Sequence, residues 1–347
     1  MLLRLFLRGS YRNFCSDTTT PASSQLSNGL FDPRLEFVLP PKVDQKKWYP
    51  KHMSIQLQKM EGKLRTVDLI LEVHDARVAL TGRNPGFGAK LYSVRPHILV
   101  LNKMDLIDMK KYKQPIEEYY YHRGVQNVVW TKCKESLKTS DAFEELTRTM
   151  QKCLQAELRF NRTVKTEYQV MVVGIPNVGK SSLINALRHN NLGRINKPAQ
   201  EGARPGVTVR VQNRIRLMDK PPLYILDTPG VLNPYFSSIE GAMKLALCNL
   251  ILESATMPYY VADFMLYYMN KYNDFSYVEI LQLPEPTNDI KKLLTHICKT
   301  NDMRVEMYIG ARKEERWDFE NATAMFIKLF RTNKIKDSFL DRDLLKY

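Results

Sequence analysis

The five cysteines, at 15, 133, 153, 248 and 298, include no C-x-x-C pair, and any pairing leaves one over. Neither a disulfide framework nor a zinc site is supported, and a reducing compartment is the simplest inference. Acidic residues are missing from the opening stretch, the first being Asp17. Long apolar runs are missing as well. The leading one is broken by Arg4, Arg8 and Arg12, so it is too short for a secretory core or a membrane span.

What the opening does hold is an amphipathic pattern. Arg4, Arg8 and Arg12 share one helix face opposite Leu3, Leu5, Phe6 and Leu7, and a Ser/Thr-rich stretch follows. Acid-free, arginine-bearing and amphipathic, residues 1–30 predict a mitochondrial transit peptide, the bland alternative being a basic tail. Residues 31–65 read as an arm: a proline-containing linker with Pro33, Pro40 and Pro41, then a helix entered through Trp48-Tyr49-Pro50-Lys51-His52-Met53.

The formal charge is +15, which points to a polyanionic partner, either nucleic acid or an anionic membrane surface. Its placement is uneven. Residues 1–66 carry 11 Lys+Arg against 5 Asp+Glu, and residues 161–222 carry 11 against 3. The last third is nearly balanced.

The stretch from Gly174 to Ser182 (GIPNVGKSS) fits G-x-x-x-x-G-K-[ST]. An apolar, β-branched run, Gln169 to Val173, precedes it as a buried strand, and Leu183 to Leu187 follows as a helix. In that context Gly174 and Gly179 let backbone N–H groups close on phosphates at a helix N-terminus. Lys180 would reach the β and γ phosphates and Ser181 would hold Mg²⁺. Asn177, Val178 and Ser182 are the loop's remaining members.

Two further strands, Val67 to Val73 and Pro96 to Leu101, end in Asp75-Ala76-Arg77 and in Asn102-Lys103-Met104-Asp105. An aspartate at the rim of a nucleotide pocket accepts from N1–H and the 2-amino group of guanine, donors that adenine lacks. Asp105 would read the base, Asn102 would brace the loop and the Lys103 stem would lie along the ring. A strand over 127–132 brings Thr131 and Lys132 toward the guanine carbonyl. After the phosphate loop, 190–207 lacks periodicity, Thr208 follows, and an edge strand is expected over 209–217. Leu223 to Leu226 leads into Asp227-Thr228-Pro229-Gly230. Asp227 would serve the Mg²⁺ water shell, the Gly230 N–H the γ-phosphate, and Thr208 would close over Mg²⁺. Such loops form a γ-phosphate switch.

From Ser237 onward the periodicity is helical, with helices expected over 239–251, 261–272 and 322–330. Tyr259, Tyr260, Tyr267, Tyr268 and Tyr272 read first as packing residues and second as an RNA-stacking set. The predicted fold is therefore α/β: a doubly wound P-loop domain over 66–236 followed by a smaller α-helical domain over 237–347.

The base-reading motif precedes the phosphate loop, the reverse of the usual order, as if the sheet had been cut and rejoined. In that order, and in Trp48 to Met53, Asp75 to Arg77 and Arg83-Asn84-Pro85, the chain resembles the circularly permuted ribosome-biogenesis GTPases. The resemblance implies GTP hydrolysis with Mg²⁺, coupled to maturation of a large ribosomal subunit, and a C-terminal domain that helps bind its rRNA. With the transit peptide, it implies the mitochondrial large subunit, in the matrix or at the matrix face of the inner membrane as a peripheral protein. It also implies a K⁺ site at Asn177. Val231 and Leu232 follow DTPG where many GTPases carry a water-orienting glutamine. The family's arm histidine matches His52, which joins Lys180, Thr208 and Gly230 as a candidate catalytic residue; the alternative is that His52 packs the arm helix. Lys51 stands where the family's arm has glycine. Two functions stay open, an enzyme that times subunit assembly and a binding module whose nucleotide state controls docking.

Overall fold

A computed structural model describes residues 31–39, 52–84, 87, 91, 95–133, 141–156, 167–193, 214–232, 238–251, 257–309 and 312–345. The presequence expectation over 1–30, Trp48 to Lys51, the basic segment 194–213 with Thr208, and the side chain of His52 lie outside them. Pro33–Tyr347 forms one compact unit, distinct from Met1–Asp32.

The core is a six-stranded sheet in the order β3-β2-β1-β4-β6-β5. Its strands are β1 (Leu69–Asp75), β2 (His97–Asn102), β3 (Val128–Thr131), β4 (Tyr168–Val173), β5 (Ile215–Met218) and β6 (Leu223–Asp227). All pair in parallel except β5, which runs antiparallel along the edge beside β6. All of β1 is buried, as expected of a parallel strand covered on both faces. From β1 the chain winds outward through β2 and β3, then returns to lay β4 on the other side of β1. The winding therefore reverses between β1 and β4, and ligands bind beyond the carboxyl ends of strands at such a point. Register aligns those ends: Asp75 pairs with Asn102 and Asn102 with Thr131, and Val172 pairs with Asp227.

Among the described residues, four α-helices accompany the sheet: α1 (His52–Lys63), α2 (Met109–Tyr121), α3 (Asp141–Ala156) and α4 (Lys180–Leu192). The chain after residue 237 supplies α5 (Ile239–Leu247), α6 (Pro258–Lys271), α7 (Ser276–Ile280), α8 (Ile290–Thr300) and α9 (Phe319–Arg331). α5 stops short of the expected Ile251. Asn249 takes a left-handed φ of 59°, and the Leu250 N–H closes back on the Leu245 carbonyl at 2.9 Å, which ends a helix by satisfying its last carbonyls. Tyr267 and Tyr268 are buried in the core, so packing holds over stacking for these two. The purely helical expectation needs one correction: β7 (Arg304–Ile309) and β8 (Arg312–Trp317) pair as an antiparallel hairpin. The alternation of Val305, Met307 and Ile309 ahead of Gly310 was its sequence signal.

Two distant segments tie down the helical part. On the arm, Arg34 forms two bonds to the Asp263 carboxylate of α6, at 2.7 and 3.1 Å, and Phe37 stacks edge-on against Phe264 at 5.2 Å. After α9, the Leu340 N–H donates to the Arg77 carbonyl at 2.8 Å. Beside it the buried Asp341 carboxylate accepts from the backbone N–H groups of Leu80 and Thr81, both at 2.8 Å.

Candidate nucleotide site

The phosphate loop grows out of β4 through a glycine that no other residue could replace without displacing backbone. Gly174 has φ 148°, and a Cβ there would stand 2.3 Å from the Val73 carbonyl oxygen. Gly179, at φ 100°, lies against the Asn102 amide, where a Cβ would meet Nδ2 at 2.3 Å. Immediately afterwards α4 begins at Lys180, so its orphan N–H groups face the loop. The Lys180 ammonium folds back onto the loop's own carbonyls, Ile175 at 2.9 Å and Gly174 at 3.3 Å. Burial pulls its pKa down to about 8, against the opposing effect of Asp227.

Across the loop, Ser181 Oγ donates to Asp227 Oδ2 at 3.1 Å. Burial raises the Asp227 pKa, with Lys180 and Ser181 opposing. Asp227 Oδ1 is buried and has no hydrogen-bond partner among the described residues. Burial thus shifts the cation and the carboxylate both toward their neutral forms, each partly held back by the other. A hard hydroxyl and carboxylate pair with an unfilled acceptor fits Mg²⁺. The DTPG turn closes tightly here: a Cβ on Gly230 would meet Pro176 N at 2.4 Å. Thr228 Oγ1 donates to the Val172 carbonyl at 2.6 Å. Val231 and Leu232 are buried in the core, so neither reaches toward the phosphates.

The NKMD loop is fastened to the same phosphate loop. Asn102 Nδ2 donates to the Val178 carbonyl at 2.8 Å, while its Oδ1 accepts from Thr131 Oγ1 at 3.2 Å. The Thr131 side chain therefore braces Asn102 and is buried, and Lys132 lies half-buried beside it. Lys103 holds a left-handed φ of 62°, which costs a non-glycine residue roughly 1–2 kcal/mol. Its ammonium offsets that by bonding the Asn177 carbonyl at 2.9 Å and Asp75 Oδ2 at 2.8 Å. Asp105 stands exposed at the rim, two residues on. Val178 is buried and Ser182 is half-buried, so Val178 offers the site its backbone.

Asp75 and Arg77 carry no role in the motif that the sequence shows, and the structure supplies one. Both are buried, and Arg77 grips the carboxylate through Nε at 3.0 Å and Nη2 at 2.8 Å. Burial acts to raise the Asp75 pKa, but Arg77 and Lys103 overcome it and hold the carboxyl well below the usual carboxylate range. An aspartate at the end of a buried strand, next to an arginine, was the available signal.

A central P-loop strand flanked by β1 and β6, with the guanine-type loop on strands that precede it in the chain, defines a circularly permuted P-loop GTPase. A family model described as 50S ribosome-binding GTPase matches residues 169–302. The chain is 39% identical over 307 residues to mitochondrial ribosome-associated GTPase 1 of Bos taurus, covering 87% of this chain and 90% of that protein. It is 32% identical to ribosome biogenesis GTPase A of Bacillus cereus, over 73% and 81% of the two chains. It belongs to the family of mitochondrial ribosome-associated GTPases. The crystal structure of GNP-bound YlqF from T. maritima shares the fold, with a TM-score of 0.51 at 20% identity, covering 81% of this chain and 96% of that one.

The lowered Lys180 pKa has a pH signature. Bound triphosphate favours the ammonium and raises its pKa, so binding above about pH 8 must take up a proton. With Lys180 against the phosphates, as its place in the motif predicts, GTP affinity should stay full below about pH 8 and fall as pH rises past it, by up to about tenfold per pH unit. Calorimetry in buffers of different ionisation enthalpy checks this. Proton uptake should appear near pH ~9 and vanish near ~7, and buffer-independent heats at the higher pH would refute it.

Proposed function

We propose that this GTPase times assembly of the mitochondrial large ribosomal subunit, docking on its rRNA from the matrix, with peripheral contact at the inner-membrane surface as a further location. The observation that supports this most is the permuted nucleotide site in a chain similar over nearly its whole length to proteins named for mitochondrial ribosomes. The basic excess near the phosphate loop suits an rRNA partner. No helix among the described residues is long and apolar enough to cross a membrane.

In this reading Gly174, Asn177, Val178, Gly179, Lys180, Ser181 and Ser182 wrap the phosphates, and Asp105 reads guanine from the platform that Asn102, Lys103, Thr131 and Lys132 support. Ser181, Asp227 and Thr208 would hold Mg²⁺, which supplies charge neutralisation between the β and γ phosphates. The Gly230 N–H would meet the γ-phosphate. Asn177 donates its amide to the Asn249 carbonyl at 3.0 Å, and its side-chain oxygen would serve K⁺.

Buried Val231 and Leu232 leave water positioning to another group, and His52 at the start of α1 is the candidate. A neutral imidazole can accept from water through one nitrogen and be oriented through the other. Single-turnover GTP hydrolysis, with and without mitochondrial large subunits and in K⁺ or Na⁺, tests the reading. The intrinsic rate is expected between about 10⁻⁴ and 10⁻² s⁻¹ and should rise on subunits. His52→Ala should lower the stimulated rate by about 10² with GTP affinity nearly intact. Normal stimulated turnover in His52→Ala would make that histidine structural. No acceleration by subunits would favour the second reading, a nucleotide-controlled binding module, which the same two buried residues support.

A further inference from the structure

The Lys103–Asp75–Arg77 triple does not stop at the nucleotide loops. Arg77 Nη2 also donates to the Cys248 carbonyl at the end of α5, at 3.3 Å, and its guanidinium lies over the Phe330 ring of α9 at 5.3 Å. Arg331 joins those two helix ends, donating to the carbonyls of Leu247 at 3.1 Å and Ala246 at 3.3 Å. The same ends touch both nucleotide loops. The Asn249 carbonyl accepts from Asn177 of the phosphate loop, and Asn333 Nδ2 donates to the Asp105 carbonyl at 3.4 Å.

We propose that Asp75 and Arg77 are positioning residues for guanine recognition: through Lys103 they fix the base-reading loop, and through Cys248 they make that fix depend on the seating of the helical region. A buried ion pair by itself says little about purpose. Here one carboxylate oxygen, Asp75 Oδ2, is shared between Arg77 and Lys103, so a change in Arg77 reaches Lys103 directly. Withdrawal of α5 and α9 would remove the acceptor and the ring face that aim the guanidinium. Asp75 would then re-pair, and Lys103 would lose its hold between the two loops. Coupling is reciprocal: whatever displaces the helical region weakens guanine nucleotide binding, and guanine nucleotide seats the helical region by the same factor.

The inference rests on Asp105 reading guanine, so the experiment includes that residue. Guanosine diphosphate and inosine diphosphate differ by the 2-amino group, and the ratio of their affinities reports base reading separately from phosphate binding. Arg77→Lys keeps a charge beside Asp75 but lacks the fork that spans Asp75 and Cys248. It should cut the guanosine-to-inosine ratio about tenfold, whereas a merely structural lesion would weaken both ligands alike. A ratio that responds to Asp105→Asn but not to Arg77→Lys overturns the coupling; one insensitive to both overturns base reading as well. Should Arg77→Lys fail to fold, the unaltered chain decides. Guanosine diphosphate, but not pyrophosphate, should slow amide exchange at 246–250 and 331–340. Slowing confined to 102–107 and 174–183 would overturn the proposal.

Discussion

Replacing Asp105 with asparagine should transfer the nucleotide preference from GTP to xanthosine triphosphate. The loop carrying Asp105 has little freedom, because Asn102 and Lys103 are bonded to the Val178 and Asn177 carbonyls of the phosphate loop. A base bound beyond that platform meets a carboxylate that is exposed at the rim. Guanine offers it two donors, N1–H and the 2-amino group. Asparagine keeps one acceptor and replaces the other with a donor, which faces the guanine amino group unfavourably and the 2-oxo group of xanthine well. A site that loses a matched hydrogen bond in this way discriminates by up to about 10⁴. GTP affinity should fall toward that limit while xanthosine triphosphate gains. Because the side chain is exposed, thermal stability should stay put. Direct titration of both nucleotides checks the switch, and unchanged GTP affinity would remove Asp105 from the base pocket.

The motifs were legible because each demands a particular backbone. Gly174 must clear the Val73 carbonyl and Gly179 the Asn102 amide, and such demands leave fixed residue types at fixed spacing. The strands were legible for a similar reason, since a parallel sheet buried on both faces reads as continuous apolar runs. Most expected strand ends differ from those seen by a residue or two, as with Val67 to Val73 against Leu69–Asp75; the edge strand expected over 209–217 is seen only at Ile215–Met218, with 209–213 outside the described residues. Helix α2 escaped notice because Pro115 and a run of lysines and tyrosines interrupt its apolar spacing. The longest-range features were illegible in principle. Arg77 bonds a carbonyl 171 residues away, and Asp341 bonds an amide 261 residues away. Backbone acceptors and donors carry no residue-type signature, so nothing near Cys248 or Leu80 announces the partner.

Asp341 is the strongest instance, and its removal should be strongly destabilising. The carboxylate is fully buried. It accepts from the Leu80 and Thr81 N–H groups at 2.8 Å each, from Thr81 Oγ1 at 2.5 Å and from Lys244 Nζ at 3.4 Å. Asp341→Ala would take the acceptor from the buried Leu80 N–H and the part-buried Thr81 N–H and would strip one counter-charge from a buried lysine. Each orphaned donor costs about 1–3 kcal/mol, and breaking a buried ion pair costs about 3–5 kcal/mol. Lys244 keeps Asp343 at 2.6 Å, so the ion-pair cost is largely avoided and the two donors set a total of about 2–6 kcal/mol. Asp343→Ala is the matched control. That carboxylate is about one-third exposed, at 36%, it leaves no backbone donor orphaned, and Lys244 keeps Asp341 when it goes, so its loss should cost less than that of Asp341, about 1–2 kcal/mol. Urea unfolding should therefore show a much lower midpoint for Asp341→Ala at an unchanged slope, with Asp343→Ala nearer to the unaltered chain. Equal midpoints for the two variants would mean that the tail after α9 contributes no more than a surface contact, and that Leu80 and Thr81 find other acceptors when it leaves.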